Sequence, residues 1–391
     1  MVKARFALYL RYCAGNSVAL TCIWMQRVAV LWLAWELSES TFWSSIVLTA
    51  QLVPTVIIGP LFGAVADRVR VIPAMVTVQL VLAALTTSLV ALALADLVTV
   101  GVLIGFECLI GITVSAHQPL RMTLVPALVP KTLLPRAIAL DSMVFNLTRM
   151  IGPALAGLLI VIIGVPPVLL LGALGNLVLA MVIWSLRNDV SKPSASSGNL
   201  LSQLHNGWTV ICDSHRVTKA FMLTGVFGMG GRAAIDLFPL FAATTFGREA
   251  DGAGLLLSAA GFGAVCAAAF MALSKNLPNH IAEYLGITGF AALFLMSQTE
   301  SWLLGLACAG TLGCAASIVG VANQSKIQLS IPDGFHGRVM GLWVLVGLGS
   351  TALGTAAYGT ISDLTNLRDA SAILSVIGIL SIGAISLKNG E

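Results

Sequence analysis

Residues 52–82 read LVPTVIIGPLFGAVADRVRVIPAMVTVQLVL. A short charged segment, DRVR at 67–70, separates two apolar runs that together extend over 43–65 and 72–95. Each run is close to the roughly 20 residues that a helix needs to cross a bilayer. The stretch therefore predicts two membrane-spanning helices joined by a short charged loop.

The same alternation continues along the chain. The sequence is 58% hydrophobic and 10% charged, whereas ordinary soluble domains have about 25% charged residues. Charged residues and Pro/Gly breaks divide it into about twelve apolar stretches of spanning length. The predicted spans are 11–35, 43–65, 72–95, 97–118, 137–163, 166–186, 217–245, 252–273, 281–298, 302–324, 339–361 and 366–387. The sequence therefore predicts an all-α integral membrane protein with twelve transmembrane helices.

The distribution of positive charge predicts the orientation. If the N-terminus lies inside, only Arg248 and Arg368 among the 21 Lys and Arg residues fall in outer loops, and Arg27, Arg149 and Arg232 fall within spans. The inner set is Lys3, Arg5, Arg11, Arg68, Arg70, Arg121, Lys131, Arg136, Arg187, Lys192, Arg216, Lys219, Lys275, Lys326, Arg338 and Lys388. Because positive loops stay on the cytoplasmic side during insertion, we expect a multi-pass protein of the bacterial inner membrane with both termini cytoplasmic.

Composition also argues against several classes of partner. The net charge of +4 follows from the loop bias, and no basic stripe interleaved with aromatic residues indicates nucleic-acid binding. The seven Cys residues are scattered without a C-x-x-C pair, and the five His residues are dispersed, so neither a disulfide framework nor a metal site is predicted. No G-x-x-x-x-G-K-[ST] loop occurs that would bind ATP. We therefore expect no cofactor, with a proton gradient as the energy source.

One long polar stretch interrupts the apolar pattern. It includes SKPSASSG at 191–198, whose Ser, Gly and Pro content favours a flexible linker. It divides the chain into a six-helix bundle at 1–187, a cytoplasmic linker at 188–214 and a second six-helix bundle at 215–391.

The two bundles are similar in sequence. A shift of 202 residues superimposes span five on span eleven in the same orientation. It carries Pro130 to Pro332, Arg136 to Arg338, Leu140 to Leu342, Gly152 to Gly354, Ala154 to Ala356 and Gly157 to Gly359. Parallel six-helix repeats are a recognised transporter architecture, so we interpret the bundles as pseudo-repeats.

The loop between spans two and three carries a known motif. Gly63, Asp67 and Arg68 stand in the order G-x-x-x-D-R, which resembles the corresponding loop of the major facilitator superfamily. In that family the Asp–Arg pair latches the cytoplasmic face. An ordinary positive-inside loop would also explain Arg68, but it does not explain Asp67. The usual basic tail of the motif is shortened here to Arg70.

Span five carries a second pattern. Gly152, Pro153 and Gly157 resemble the glycine–proline motif of exporters in this superfamily, although the glycines expected upstream are missing. Small residues let helices approach closely and Pro permits bending; Gly354 and Gly359 in span eleven also favour simple packing. The run, together with HGRVMG at 336–341, resembles the branch that contains the enterobactin exporter and macrolide-efflux proteins.

Five charged residues lie well inside predicted spans, away from their charged ends, and are the main candidates for a substrate and proton pathway. They are Arg27, Glu107, Arg149, Arg232 and Asp236. Each costs at least about 2.5 kcal/mol at the bilayer centre, so each should face a partner or a wet cavity. In the superfamily, the spans that hold them line the central cavity. Gln51 and Asn146 could add hydrogen bonds to a ligand.

Structural roles remain open for the same residues. Arg232 and Asp236 are four residues apart and could form a static salt bridge. Glu107 could be a permanent partner of Arg27 or Arg149 rather than a titrating acid. Trp24 and the other tryptophans are interpreted as interfacial anchors and not as substrate contacts.

These observations predict a secondary active transporter, not an enzyme, that works by alternating access in the lipid bilayer. The resemblance implies proton-coupled export of a sizeable, partly apolar small molecule, siderophore-like or drug-like, for which a monomer is sufficient. An alternative is a transporter of an anionic or zwitterionic nutrient or a lysolipid, possibly inward. A membrane enzyme or receptor is disfavoured, because no nucleophile–base pair or acidic metal cluster occurs.

Overall fold

All the secondary structure in the described part of the chain is helical. The computed structural model describes residues 2–66, 69–187, 211, 214–274, 278, 280–331 and 336–387. Within them, eleven helices are long and apolar enough to cross a membrane, or up to twelve if one bent pair counts as a single span. The predicted all-α membrane class is confirmed.

The chain divides into two compact units. The first comprises residues 1–38 and 50–198, and the second comprises residues 39–49 and 199–391. The second helix therefore begins in the second unit and continues in the first.

The first unit is built mainly from six helices. They are α1 (Val2–Ser38), α2 (Thr41–Ala66), α3 (Val71–Leu94), α4 (Val100–Leu128), α5 (Leu134–Ile163) and α6 (Val165–Ser185), with a 3₁₀ turn at Lys131–Leu133. Helix α1 packs against α4, α5 and α6, and α3 packs against α4 and α6. Tyr9, Met75 and Leu124 are fully buried in the resulting core.

Local sequence sets several helix ends in this unit. The Thr99 side chain accepts a hydrogen bond from the Val102 N–H at 3.3 Å and so caps the start of α4. Gly164 joins α5 to α6 with φ at +82°, in the region that favours glycine. Pro166 follows in the first turn of α6, where its missing N–H costs no helical hydrogen bond.

The second unit contains a broken span followed by five long helices. The broken span comprises α7 (His215–Phe227), a π turn (Gly228–Arg232), α8 (Ala233–Asp236) and α9 (Phe238–Thr244). The long helices are α10 (Ala250–Leu273), α11 (Ile281–Gln298), α12 (Trp302–Ser330), α13 (His336–Leu364) and α14 (Leu367–Leu387). Helix α12 packs against α7, α10 and α11, while α13 packs against the π turn and α14.

The prediction of one continuous helix over 217–245 was wrong. The segments His215–Asp236 and Phe238–Thr244 are bent by 55° relative to each other. Gly228, Gly230 and Gly231 are weak helix formers, and Pro239 disrupts regular hydrogen bonding at the bend. Single π turns often occur at functional sites, so the break has mechanistic interest.

The prediction that Arg121 and Lys326 lie in loops was also wrong. Helix α4 continues to Leu128 and α12 continues to Ser330, so both cations lie within helices. Both pair with buried carboxylates, which offsets the cost of placing a charge there.

The two cations predicted in outer loops both have partners in the second unit. The Arg248 guanidinium carbon lies 5.1 Å from the ring centroid of Trp302. Arg368 donates a hydrogen bond to the Thr245 carbonyl at 2.9 Å and lies 3.5 Å from a carboxylate oxygen of Glu300. These contacts join the loop before α10 to the starts of α12 and α14. Arg248 and Arg368, the two cations outside the inner set, therefore both have a structural role.

Candidate functional site

Trp24, interpreted from the sequence as an interfacial anchor, instead forms the centre of the candidate site in the first unit, with two arginines over its ring. The guanidinium carbons of Arg27 and Arg149 lie 5.4 and 5.8 Å from the ring centroid of Trp24. Phe145 meets the same ring edge-on, with 5.7 Å between centroids. The indole Nε1 of Trp24 is buried and has no hydrogen-bond partner within the part of the chain that is described. The site thus combines two cations, an aromatic surface and an unused donor.

Glu107 adds the negative charge to this arrangement. Its residue is only 4% exposed, on the buried face of α4. Arg27 is the charged side chain whose field acts on its carboxyl group. Arg149, on α5, is 8% exposed. Glu107 on α4 and Arg27 on α1 therefore interact in a shielded environment, where charges interact strongly, and Arg149 on α5 lies over the same tryptophan as Arg27.

Gly152 allows α5 to approach α1 at this point. A Cβ atom on Gly152 would lie 2.6 Å from the Cβ of Trp24 and 2.9 Å from the carbonyl oxygen of Thr21. Both distances are too short for non-bonded atoms. Arg149 is one turn away on the same helix, so the absence of a side chain at 152 lets its guanidinium reach the Trp24 ring.

Gln51 lies beside α4, one turn from Glu107. A Cβ on Gly111 would collide with the Gln51 carbonyl oxygen, so the α2 and α4 backbones are in direct contact there. The hydroxyl of Thr55 donates to the Gly111 carbonyl at 3.1 Å. Gln51 itself is half-buried.

The remaining predicted residues of α5 have different surroundings. Asn146 is half-buried and donates its amide to the carbonyl of Ser142 in its own helix, at 2.9 Å. Pro153 lies within the helix, and both it and Gly157 are buried. The two polar candidates of α5, Asn146 and Arg149, therefore lie one turn apart, and the small or rigid residues Gly152, Pro153 and Gly157 follow them along the helix.

Arg232 and Asp236 lie in the second unit, at the break in the seventh span. Their side chains approach to 3.9 Å, with Arg232 30% exposed and Asp236 8% exposed. Arg232 ends the π turn and Asp236 ends α8, directly before the 55° bend. The pair thus spans the irregular backbone of this unit.

Helix α13 packs closely on that irregular segment. A Cβ on Gly354 would collide with the backbone of Met229 in the π turn. The Tyr358 hydroxyl, fully buried, donates to the Gly230 carbonyl at 3.1 Å. Gly359 faces a different neighbour, because a Cβ there would lie 2.8 Å from the Cβ of Ser45 at the start of α2.

Most of the predicted gate motif falls outside the described residues. Gly63 lies within α2, but Asp67 and Arg68 are not described. The interpretation of this motif stays a prediction.

The structure adds a buried charge cluster that was not predicted in the first unit. Asp141 on α5 lies 3.2 Å from Nη2 of Arg121 on α4 and accepts a hydrogen bond from the Tyr9 hydroxyl of α1 at 2.9 Å. The Asp141 side chain is 8% exposed. The sequence signal that could have revealed this cluster was an acid, Asp141, four residues after the predicted start of span five, with an arginine, Arg121, just beyond the predicted end of span four.

A comparable cluster occurs in the second unit. Glu283 on α11 lies 2.9 Å from Nζ of Lys219 on α7 and 3.7 Å from Nζ of Lys326 on α12. In each unit, a buried acid on one helix therefore contacts side chains of the first and fourth spans of that unit: Asp141 in the first unit and Glu283 in the second.

Comparison with known proteins decides the family. A model of the family described as transmembrane secretion effector matches residues 8–389, almost the whole chain. The chain belongs to this family of the major facilitator superfamily. The similar proteins described below are named as transporters, and this chain is a multi-pass membrane protein of the same superfamily.

The similar curated proteins are named as exporters. The chain is 26% identical over 285 residues to the enterobactin exporter EntS of Escherichia coli O1:K1 / APEC, an alignment that covers 72% of this chain and 66% of EntS. It is 27% identical over 289 residues to EntS of Shigella boydii serotype 18, with the same coverage. The alignment therefore spans slightly less than two thirds of those relatives.

Solved structures share the fold. The nucleoside transporter NupG matches with a TM-score of 0.74 at 12% identity, covering 97% of this chain and 98% of NupG. A bacterial homologue of the human lysosomal transporter Spinster matches with a TM-score of 0.71 at 15% identity, covering 98% of this chain and 95% of that chain. The predicted major facilitator fold is therefore confirmed.

Proposed function

We propose that this transporter is a proton-coupled exporter of a sizeable, partly apolar small molecule, and that it resides in the bacterial inner membrane with both termini cytoplasmic. The observation that carries the proposal is the pair of guanidinium groups, Arg27 and Arg149, over the Trp24 ring, with the buried Glu107 carboxyl in the field of Arg27. The similarity to EntS supports the outward direction, and the distribution of positive loops supports the orientation.

Each group has a role in the proposed cycle. The Trp24 ring and Phe145 offer an aromatic surface to the cargo, and the unused indole N–H can donate to a cargo oxygen. Arg27 and Arg149 attract acidic or electron-rich groups on the cargo. Glu107, when ionised, can accept a hydrogen bond from the cargo.

Proton binding changes the hold on the cargo. An ionised Glu107 accepts a hydrogen bond from a cargo hydroxyl or amide group. A protonated Glu107 loses this charge-assisted contact and its attraction for Arg27, so the cargo is held less firmly and is released. Because the proton and the cargo thus bind in competition, inward movement of protons can drive outward movement of the cargo.

The experiment is transport of labelled enterobactin in everted membrane vesicles with an imposed proton gradient. We expect uptake into the vesicles that depends on the gradient, and loss of that dependence in Glu107→Gln. Asp363→Asn, a change of the same type at an exposed acid of α13, is the matched control and should transport normally. Transport that ignores the gradient, or that is unaltered in Glu107→Gln, would refute proton coupling through this residue.

A second candidate function is uptake of an anionic or zwitterionic nutrient or a lysolipid. The presence of two guanidinium groups over the Trp24 ring favours it, because guanidinium groups bind carboxylates and phosphates. In this case lysophosphatidylethanolamine or a small organic anion would accumulate in right-side-out vesicles, and Arg149→Gln would abolish accumulation. Expression would give cells no resistance to drugs or siderophores.

A further inference from the structure

We infer that the first unit carries a second binding site, for a hydrophobic organic cation, at the end where α1, α3 and α5 finish. A cavity of about 430 Å³ lies there, which we call the Glu36 cavity. Its lining includes Leu33, Glu36, Asp96, Ile160 and Val165. This volume is within the range of pockets that hold drug-sized molecules.

The cavity is separate from the Trp24 site. Glu36 is nine residues beyond Arg27 on α1, which corresponds to about 14 Å along a helix. None of the lining residues contributes to the cluster around Trp24. The further site therefore does not depend on the proposed export function.

Its walls are apolar and fixed by the backbone. Ile160 and Val165 are buried on either side of the α5–α6 turn, and Leu33 on α1 is half-buried. Gly164, also part of the lining, holds this turn with its φ of +82° and presents no side chain to fill the space. An apolar ligand body can thus displace water from three helices at once.

Two carboxylates define the charge of the ligand. Glu36 is oriented by the indole N–H of Trp32, which donates to its Oε1 at 2.7 Å. Neither Glu36 nor Asp96 takes part in a salt bridge anywhere in the described chain. The cations in the described part of this unit lie within the spans or near the helix ends that are farthest from the cavity. Two unpaired negative charges beside an apolar cavity are complementary to a cation with an apolar body.

The test measures binding of tritiated tetraphenylphosphonium to the purified transporter by equilibrium dialysis. Tetraphenylborate, an anion of the same shape, is the charge control. We expect Glu36→Gln and Asp96→Asn each to weaken tetraphenylphosphonium binding about five-fold, as for one unpaired charge near solvent. Glu249→Gln, at an exposed acid of the other unit, should bind as the unaltered protein does.

A further variant tests the cavity without a change of charge. Ala93→Phe would place a ring in the lining and should also weaken tetraphenylphosphonium binding. The thermal midpoint of this variant and of the three charge variants should stay unchanged, because the altered residues are exposed or half-exposed. Binding that is unaffected by Glu36→Gln and Asp96→Asn, or that is lost in Glu107→Gln alone, would overturn the proposal. Displacement of the probe when phosphatidylethanolamine replaces phosphatidylglycerol in nanodiscs would assign the site to a lipid headgroup and would also overturn it.

Discussion

Arg149 lies over the indole ring of Trp24, with its guanidinium carbon 5.8 Å from the ring centroid, and Arg27 lies 5.4 Å from the same centroid. Two cations of one helix bundle thus share a single aromatic ring. An aromatic face offsets part of the cost of a shielded guanidinium without neutralising its charge.

Replacement of Trp24 should weaken cargo binding in proportion to the aromatic surface lost. We expect Trp24→Phe to reduce enterobactin affinity several-fold and Trp24→Ala to reduce it further, because a cation–π contact in a shielded site is worth about 1–2 kcal/mol. Tryptophan quenching or isothermal titration measures the effect. Trp43→Phe, at a largely exposed tryptophan, is the control. Equal affinity in all three variants would contradict a role for this ring in binding.

Gly152→Ala should destabilise the first unit and impair transport together. The added methyl group would meet the Trp24 Cβ and the Thr21 carbonyl at less than 3 Å, and overpacking of this kind costs about 1–3 kcal/mol. The thermal midpoint in detergent measures the stability. Gly105→Ala, on α4 with no neighbour within 4 Å, should be neutral. If the two variants behaved alike, the close contact of α5 with α1 would not be important.

Asp141→Asn should destabilise the protein more than removal of both Asp141 and Arg121. The single change leaves the Arg121 guanidinium without its carboxylate in a mostly buried site, and loss of one partner of a buried pair costs about 3 kcal/mol or more. The combination Arg121→Met with Asp141→Leu should recover part of this loss. A double-mutant cycle on thermal stability gives the coupling, and purely additive effects would show that the pair contributes nothing specific.

Tyr358→Phe should loosen the π turn of the second unit. It removes the buried hydrogen bond to the Gly230 carbonyl and leaves that carbonyl without this donor, at a cost of about 1 kcal/mol. Amide hydrogen exchange across residues 228–236 should accelerate, while exchange in α14 should not change. Unaltered exchange in the π turn would indicate that another contact holds it.

The sequence allowed most of the architecture to be predicted. The lengths of the apolar runs gave the spans, since the thickness of the hydrocarbon layer sets a minimum length for each helix. Five charged residues were identified as unusual by the cost of burying them, and the structure places Arg27, Glu107 and Arg149 in one unit and Arg232 with Asp236 in the other. The ends of α4 and α12 were missed because Arg121 and Lys326 were interpreted as loop charges.

What the sequence by itself determined is where the chain must be helical and which residues are costly in a membrane, because both follow from local composition and spacing. Only the tertiary structure decided that Trp24 is shared by two arginines, that Asp141 and Glu283 are partners of cations on other helices, and that the seventh span breaks at a π turn. These relationships join residues up to 125 positions apart, as Trp24 and Arg149 are. They depend on which helix faces pack together, and that is a property of the folded units rather than of any single segment.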